Sequence, residues 1–207
     1  MPPRQDGSLP AQIQARLSRL YGIDEAPSVD DFIEPSDHDD REVLILVDRG
    51  AGREVELSLR LPRSAATGRP SFDQLCQIVE GVSHFLYVVE RARRELPATQ
   101  LELELQAEVD KYVLLAHGPA LGWGARRFEP ERAARIRQTL FDRVRYLDPA
   151  GTERGDRYRL ANDLAARFAG RLESSFARHG RFEQMRAALR RFYCAGQAEK
   201  IELARAA

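Results

Sequence analysis

Apolar residues recur at helical spacing through most of this chain, and that periodicity limits the fold to a predominantly helical one. The clearest example begins at Ser71, which stands three residues before Gln74 in the spacing of a capping box. The apolar residues that follow share one helical face: Phe72, Leu75, Val79, Val82, Leu86 and Val89. Similar stripes elsewhere predict about six helices in all.

One segment, residues 42–61, departs from helical spacing and predicts a β-hairpin. Val43 to Val47 is continuously apolar, as in a strand that is covered on both faces. Apolar and polar residues then alternate from Val55 to Leu61, and glycines between the two runs suit a turn. The predicted fold class is therefore α+β, dominated by helices, with a single hairpin.

The segment 99–116 carries two conflicting patterns. Its LELEL run alternates as a strand does, but Thr99 and Glu102 have capping-box spacing. A helical stripe also runs through Leu101, Leu105, Val109, Tyr112 and Ala116. We favour a helix, which would pair with the preceding one as a helical hairpin over 71–116, and the strand alternative stays open.

Charge is distributed unevenly over what we expect to be a single domain, residues 1–207. The first 125 residues hold 13 basic and 21 acidic side chains, whereas residues 126–207 hold 19 basic and 11 acidic ones. An acidic segment at 24–40 contains two prolines and is expected to be flexible. Residues 130–205 form the arginine-rich helical part.

Arginine accounts for nearly all of the basic residues, because Lys111 and Lys200 are the only lysines among 32. GC-rich codon usage explains this bias. Nucleic-acid binding through the arginine-rich helices is one alternative function, although glutamates and aspartates dilute the charge and make a nucleic-acid partner unlikely. No apolar run is long enough to span a bilayer and the N-terminus lacks a signal-like apolar core, so we expect a cytoplasmic protein without membrane contact.

The common catalytic motifs, such as G-x-S-x-G, H-E-x-x-H and C-x-x-C, do not occur. The leading hypothesis is therefore a non-enzymatic adaptor or accessory subunit that binds another protein and needs no cofactor. Its predicted partner contacts are Phe32 and Ile33, in the acidic segment, and the single tryptophan, Trp123. Self-association into a homo-oligomer remains open.

The predicted helical hairpin suggests a second hypothesis, a metal-binding or hydrolytic protein. Antiparallel helices would bring His84 and Glu90 beside Glu104 and Glu108, and inward carboxylates and imidazoles are the ligands of metal sites in helical bundles. Glu108 lies at the edge of the apolar stripe, where a carboxylate needs a partner. Against this, His84 shares the polar side of its helix with Glu80, Tyr87 and Arg91, a pattern typical of a surface.

A glycine-rich loop, HGPALGWGARRF, is the third candidate site. Gly122 and Gly124 would let the backbone approach an anion, with Arg126 and Arg127 supplying charge ahead of the helix expected at Pro130. The loop lacks both the P-loop and the dinucleotide-binding patterns, and glycine-rich loops more often serve as plain connections.

Overall fold

The computed structural model describes residues 7–34, 43–48, 55–62, 70–118 and 128–206. Its internal contacts divide the chain into two compact units, the first comprising residues 1–19 and 23–96, and the second residues 20–22 and 97–207. The predicted single domain stays a prediction. Helices dominate the described residues, and the one sheet is small, which confirms the predicted fold class.

Two α-helices are described in the first unit. Helix α1 spans Leu9–Tyr21, of which the residues up to Arg19 belong to this unit. Helix α2 spans Phe72–Arg93 and begins with the predicted capping box, in which the Ser71 hydroxyl accepts from the Gln74 N–H and the Gln74 side chain accepts from the Ser71 N–H.

Three strands form the sheet of the first unit, in the order β1–β3–β2. The predicted hairpin consists of β2 (Val43–Asp48) and β3 (Val55–Arg60), which pair antiparallel with Val43 opposite Arg60. A 3₁₀ turn at Val29–Phe32 leads into β1, a two-residue strand at Ile33–Glu34 that pairs parallel with β3. The predicted hairpin is thus confirmed, and the third strand of the sheet, β1, comes from the acidic segment.

Helix α2 is buried on its polar side as well as on its apolar stripe. The side chains of His84, Tyr87 and Arg91 are at most 8% exposed, and Phe85 beside them is fully buried. Conversely Phe72, expected in the stripe, is 36% exposed at the first turn of the helix. The expected polar surface of α2 is therefore wrong, because this helix is covered nearly all round.

The elements that the structure describes in the second unit are all helical. The α-helices among them are α3 (Gln100–Tyr112), α4 (Pro130–Arg137), α5 (Glu153–Ser175), α6 (Phe182–Cys194) and α7 (Gln197–Arg205). The ambiguous segment 99–116 is thus helical, and its predicted capping box is present.

Two of these helices end in a π-helical turn. One turn, Val113–His117, extends α3, and the other, Gln138–Asp142, extends α4. Val144 and Leu147 continue the helical apolar spacing of Ala133 and Leu140, but they lie beyond the second turn and are 37% and 73% exposed. The π-helical turn ends that helix earlier than its apolar spacing suggests.

Among the residues that the structure describes, no helix is both long enough and apolar enough to cross a membrane.

Candidate functional site

An open groove of about 550 Å³ lies in the second unit where three helices begin. It is lined by residues at the start of α3, by the first two turns of α5 and by the first residue of α7: Thr99, Gln100, Leu101, Glu153, Asp156, Arg157, Leu160 and Gln197. We call this surface the helix-start groove.

Local side-chain chemistry sets two of the three helix starts that form this groove, those of α3 and α5. The Glu102 side chain accepts from the backbone N–H of Thr99 at 2.7 Å. In return, the Thr99 hydroxyl accepts from the backbone N–H of Glu102 at 3.2 Å. At α5 the Thr152 hydroxyl accepts from the Gly155 N–H at 3.1 Å. These caps satisfy backbone N–H groups that a helix start otherwise leaves without partners.

Only glycine fits at position 155. A Cβ atom there would lie 2.0 Å from the Pro149 carbonyl oxygen, 2.8 Å from Thr152 Oγ1 and 2.9 Å from a terminal nitrogen of Arg159. The close approach lets the loop before α5 fold tightly onto the helix. It thereby sets the position of the α5 wall of the groove.

The apolar part of the groove comes from Leu101 and Leu160. Leu160 is 37% exposed, one of few large apolar side chains in the described residues with so much contact with solvent. At the edge, the Thr99 hydroxyl donates to Gln197 Oε1 at 2.7 Å. The groove therefore combines an exposed leucine with polar groups, the composition of a ligand-binding surface.

Arg157 contributes a hydrogen-bond donor that the described residues leave unused. Its Nε atom is buried and has no acceptor among them, while a terminal nitrogen of the same guanidinium lies 3.8 Å from Glu153. A buried donor without an acceptor costs roughly 1–3 kcal/mol. The side chain as a whole is 18% exposed and lines the groove, so part of it faces the groove although Nε itself is buried.

A second polar cluster surrounds His117, the last residue of the first π-helical turn. Tyr112 donates a hydrogen bond to the buried carboxylate of Glu173, and His117 Nε2 lies 3.1 Å from the Tyr112 hydroxyl. Arg137 and Arg178 approach Glu173 at 3.6 and 3.8 Å. Because the Tyr112 proton goes to Glu173, Nε2 of His117 must donate, which places the lone pair on Nδ1.

Burial controls the titration of this cluster. It lowers the pKa of His117 to about 4, since the fully covered imidazole cannot hydrate a charge. Burial and the Glu173 carboxylate raise the pKa of Tyr112 far above its usual range. His117 Nδ1 has no hydrogen-bond partner in the described part of the chain, and the ring stacks on Phe128 with centroids 5.6 Å apart.

A third network is centred on Lys200, which is fully buried. Its ammonium donates to Gln106 Oε1 at 2.6 Å and to the Phe192 carbonyl at 2.7 Å. The Gln106 amide donates to Asp110 at 2.9 Å and to the Tyr21 hydroxyl at 3.1 Å, and Tyr21 itself donates to Asp110. Burial and the neighbouring Asp110 raise the pKa of Tyr21 well above its usual value.

The four residues of the predicted metal group are divided between the two units. In the first, His84 and Glu90 are buried, and Glu90 accepts from Arg94 at 2.6 Å. In the second, Glu104 is half-buried, and Glu108 pairs with Lys111 at 2.8 Å, so the expected partner of Glu108 is present. The metal hypothesis stays a prediction.

The other predicted site residues lie either outside the described part of the chain or in the first unit. Trp123, Gly122, Gly124, Arg126 and Arg127 lie outside the described residues.

Phe32 and Ile33, the predicted partner contacts in the first unit, are half-buried. Phe32 packs on Phe85 with ring centroids 5.1 Å apart, and Ile33 pairs with Leu59 across the sheet. Both side chains thus contribute to the structure of their own unit. Their role in binding a partner stays a prediction.

Sequence reasoning missed the groove residues Arg157 and Leu160. The buried apolar face of α5 consists of Ala161, Leu164, Phe168 and Leu172, and Leu160 is an extra apolar residue directly before it. This extra apolar residue is the feature of the sequence that could have indicated an exposed apolar site. Leu160 lines a groove only because three helix starts come together around it. Local residue spacing does not predict that arrangement.

Comparison with protein-family models, with curated proteins and with solved structures finds no match to this chain.

Proposed function

We propose that this chain is a protein-binding module, acting as an adaptor or accessory subunit, and that the helix-start groove receives an extended segment of its partner. The observation that carries the proposal is the groove itself, in which a solvent-exposed leucine lies beside polar and charged side chains. Exposed apolar surface with a polar rim marks sites of association.

The dimensions of the groove suit a short peptide segment. An open depression of about 550 Å³ is within the range of small-ligand sites, but its openness suits a chain that enters and leaves along the surface. One apolar side chain of the partner would cover Leu160 and Leu101. A backbone carbonyl of the same segment would offer the guanidinium of Arg157 an acceptor, as main-chain groups do in peptide recognition.

Selection from a random peptide library displayed on phage tests this proposal and does not require the partner to be identified first. We expect peptides that bind the wild-type chain to lose about tenfold or more in affinity for Leu160→Asp, because a carboxylate replaces the apolar contact. Leu160 is exposed, so the variant should fold.

Leu147→Asp is the matched control, because Leu147 is 73% exposed and does not line the groove. It should retain the selected peptides. Failure to select any peptide, or equal binding to both variants, would contradict the proposed function.

A further inference from the structure

The rim of the helix-start groove is acidic, although the part of the chain that holds α5 is rich in arginine. Among the lining residues Glu153 and Asp156 carry negative charge and Arg157 is the one cation. The Glu153 side chain is 98% exposed. The surplus of negative charge is thus local to the groove and opposes the charge of residues 126–207.

Glu153 has the least neutralised carboxylate of this rim. Its nearest described cation, Arg157, lies 3.8 Å away, beyond hydrogen-bond length. Asp156 differs, because one of its oxygens accepts from the Gly151 N–H at 2.9 Å. Glu153 therefore retains the greater capacity to bind a cationic group.

Resting on the proposed function, we propose that the partner segment carries an apolar side chain next to an arginine or lysine. The apolar side chain would cover Leu101 and Leu160, and the basic one would pair with Glu153. An acidic segment would bring like charge to Glu153 and Asp156, which disfavours binding.

Two synthetic peptides test the charge preference directly. One has the sequence Gly-Ser-Leu-Arg-Ser-Gly, and the other has glutamate in place of arginine. Titration of the full-length chain, followed by the NMR signals of the Leu101 and Leu160 amides, should give about fivefold tighter binding of the arginine peptide. The preference should weaken as salt rises, because the pair is exposed.

Charge reversal at Glu153 sharpens the test. Glu153→Lys should abolish or invert the preference. Glu183→Lys should leave it unchanged, because Glu183 is also an exposed first-turn glutamate, of α6, but does not line the groove. Equal or tighter binding of the glutamate peptide to the wild-type chain would overturn the inference, as would the absence of any shift with either peptide.

Different results would overturn the proposed function and the proposed charge preference. Phage-selected peptides that depend on Leu160 but lack basic residues would support the groove as a binding site and overturn the charge preference alone. An empty selection would remove the proposed function itself.

Discussion

The helix-start groove and the Lys200 network use the same two helices, α3 and α7, at different depths. Thr99, Leu101 and Gln197, at the starts of these helices, face solvent in the groove. Only a turn or two further on, Gln106 and Lys200 are fully buried and bind each other. Position along the helix thus separates polar residues that are available to a ligand from those that hold the fold.

The two sites also differ in how completely their polar atoms are used. All the amide hydrogen-bonding groups of Gln106 have a partner within the second unit, whereas Arg157 Nε in the groove has none among the described residues. Satisfied buried networks stabilise a unique structure, whereas a buried donor without an acceptor lowers stability. The predictions that follow test this distinction.

The largest effect is expected for Lys200→Met. It removes the ammonium and leaves Gln106 Oε1 and the Phe192 carbonyl buried without their donor. We expect the free energy of unfolding in urea to fall by about 3 kcal/mol. Arg205→Met, at an exposed position of the same helix, should change it by less than about 0.5 kcal/mol. A comparable loss in both variants would contradict the closed-network interpretation.

Acid should destabilise the fold through His117. Its cluster is intermediate between the Lys200 network and the helix-start groove, because it is buried but one ring nitrogen of His117 has no hydrogen-bond partner among the described residues. A pKa lowered to about 4 means that the folded state favours the neutral imidazole. The contribution of neutral His117 to the free energy of unfolding is therefore complete above pH 6.5, the pKa of the unfolded state, and is lost as pH falls from 6.5 through 4. This contribution is at most about 3 kcal/mol.

Denaturant unfolding at several pH values measures this linkage. His117→Gln should remove the His117 contribution from the pH dependence, while His179→Gln, at an exposed position, should retain the wild-type profile. Identical profiles for wild type and His117→Gln would show that this imidazole does not titrate on unfolding.

A smaller effect is expected at the wall of the groove, where α5 offers two glycines for comparison. Gly155→Ala must displace the Pro149 carbonyl, and we expect a loss of about 2 kcal/mol together with weaker peptide binding. Gly170→Ala meets nothing within 4 Å and should stabilise the helix by about 0.5–1 kcal/mol. Thermal unfolding and the peptide titration would measure both, and stabilisation by Gly155→Ala would refute the close-approach argument.

Local chemistry made much of this fold predictable. Both capping boxes, Ser71 with Gln74 and Thr99 with Glu102, are present where their spacing predicts them. The alternation from Val55 to Leu61 likewise predicted a strand, and its antiparallel partner followed from the short connection. These features depend on residues a few positions apart, which a sequence displays directly.

Features that depend on distant residues were not predictable. The parallel pairing of β1 with β3 requires a contact between Ile33 and Leu59, which no local pattern announces. The π-helical turns also depend on distant support, because Asn162 donates to the Leu140 carbonyl and Arg132 to the Leu115 carbonyl. The helix-start groove belongs to the same class.

Burial of both lysines has a consequence for the chemical accessibility of the molecule. Lys111 is 6% exposed and Lys200 is fully covered, while the exposed cations of the described chain are arginines. Acetylation, ubiquitination and amine-directed labelling all require an accessible ε-amine. In the folded state neither lysine offers these reactions an exposed target, so each lysine side chain becomes reactive only when its surroundings open.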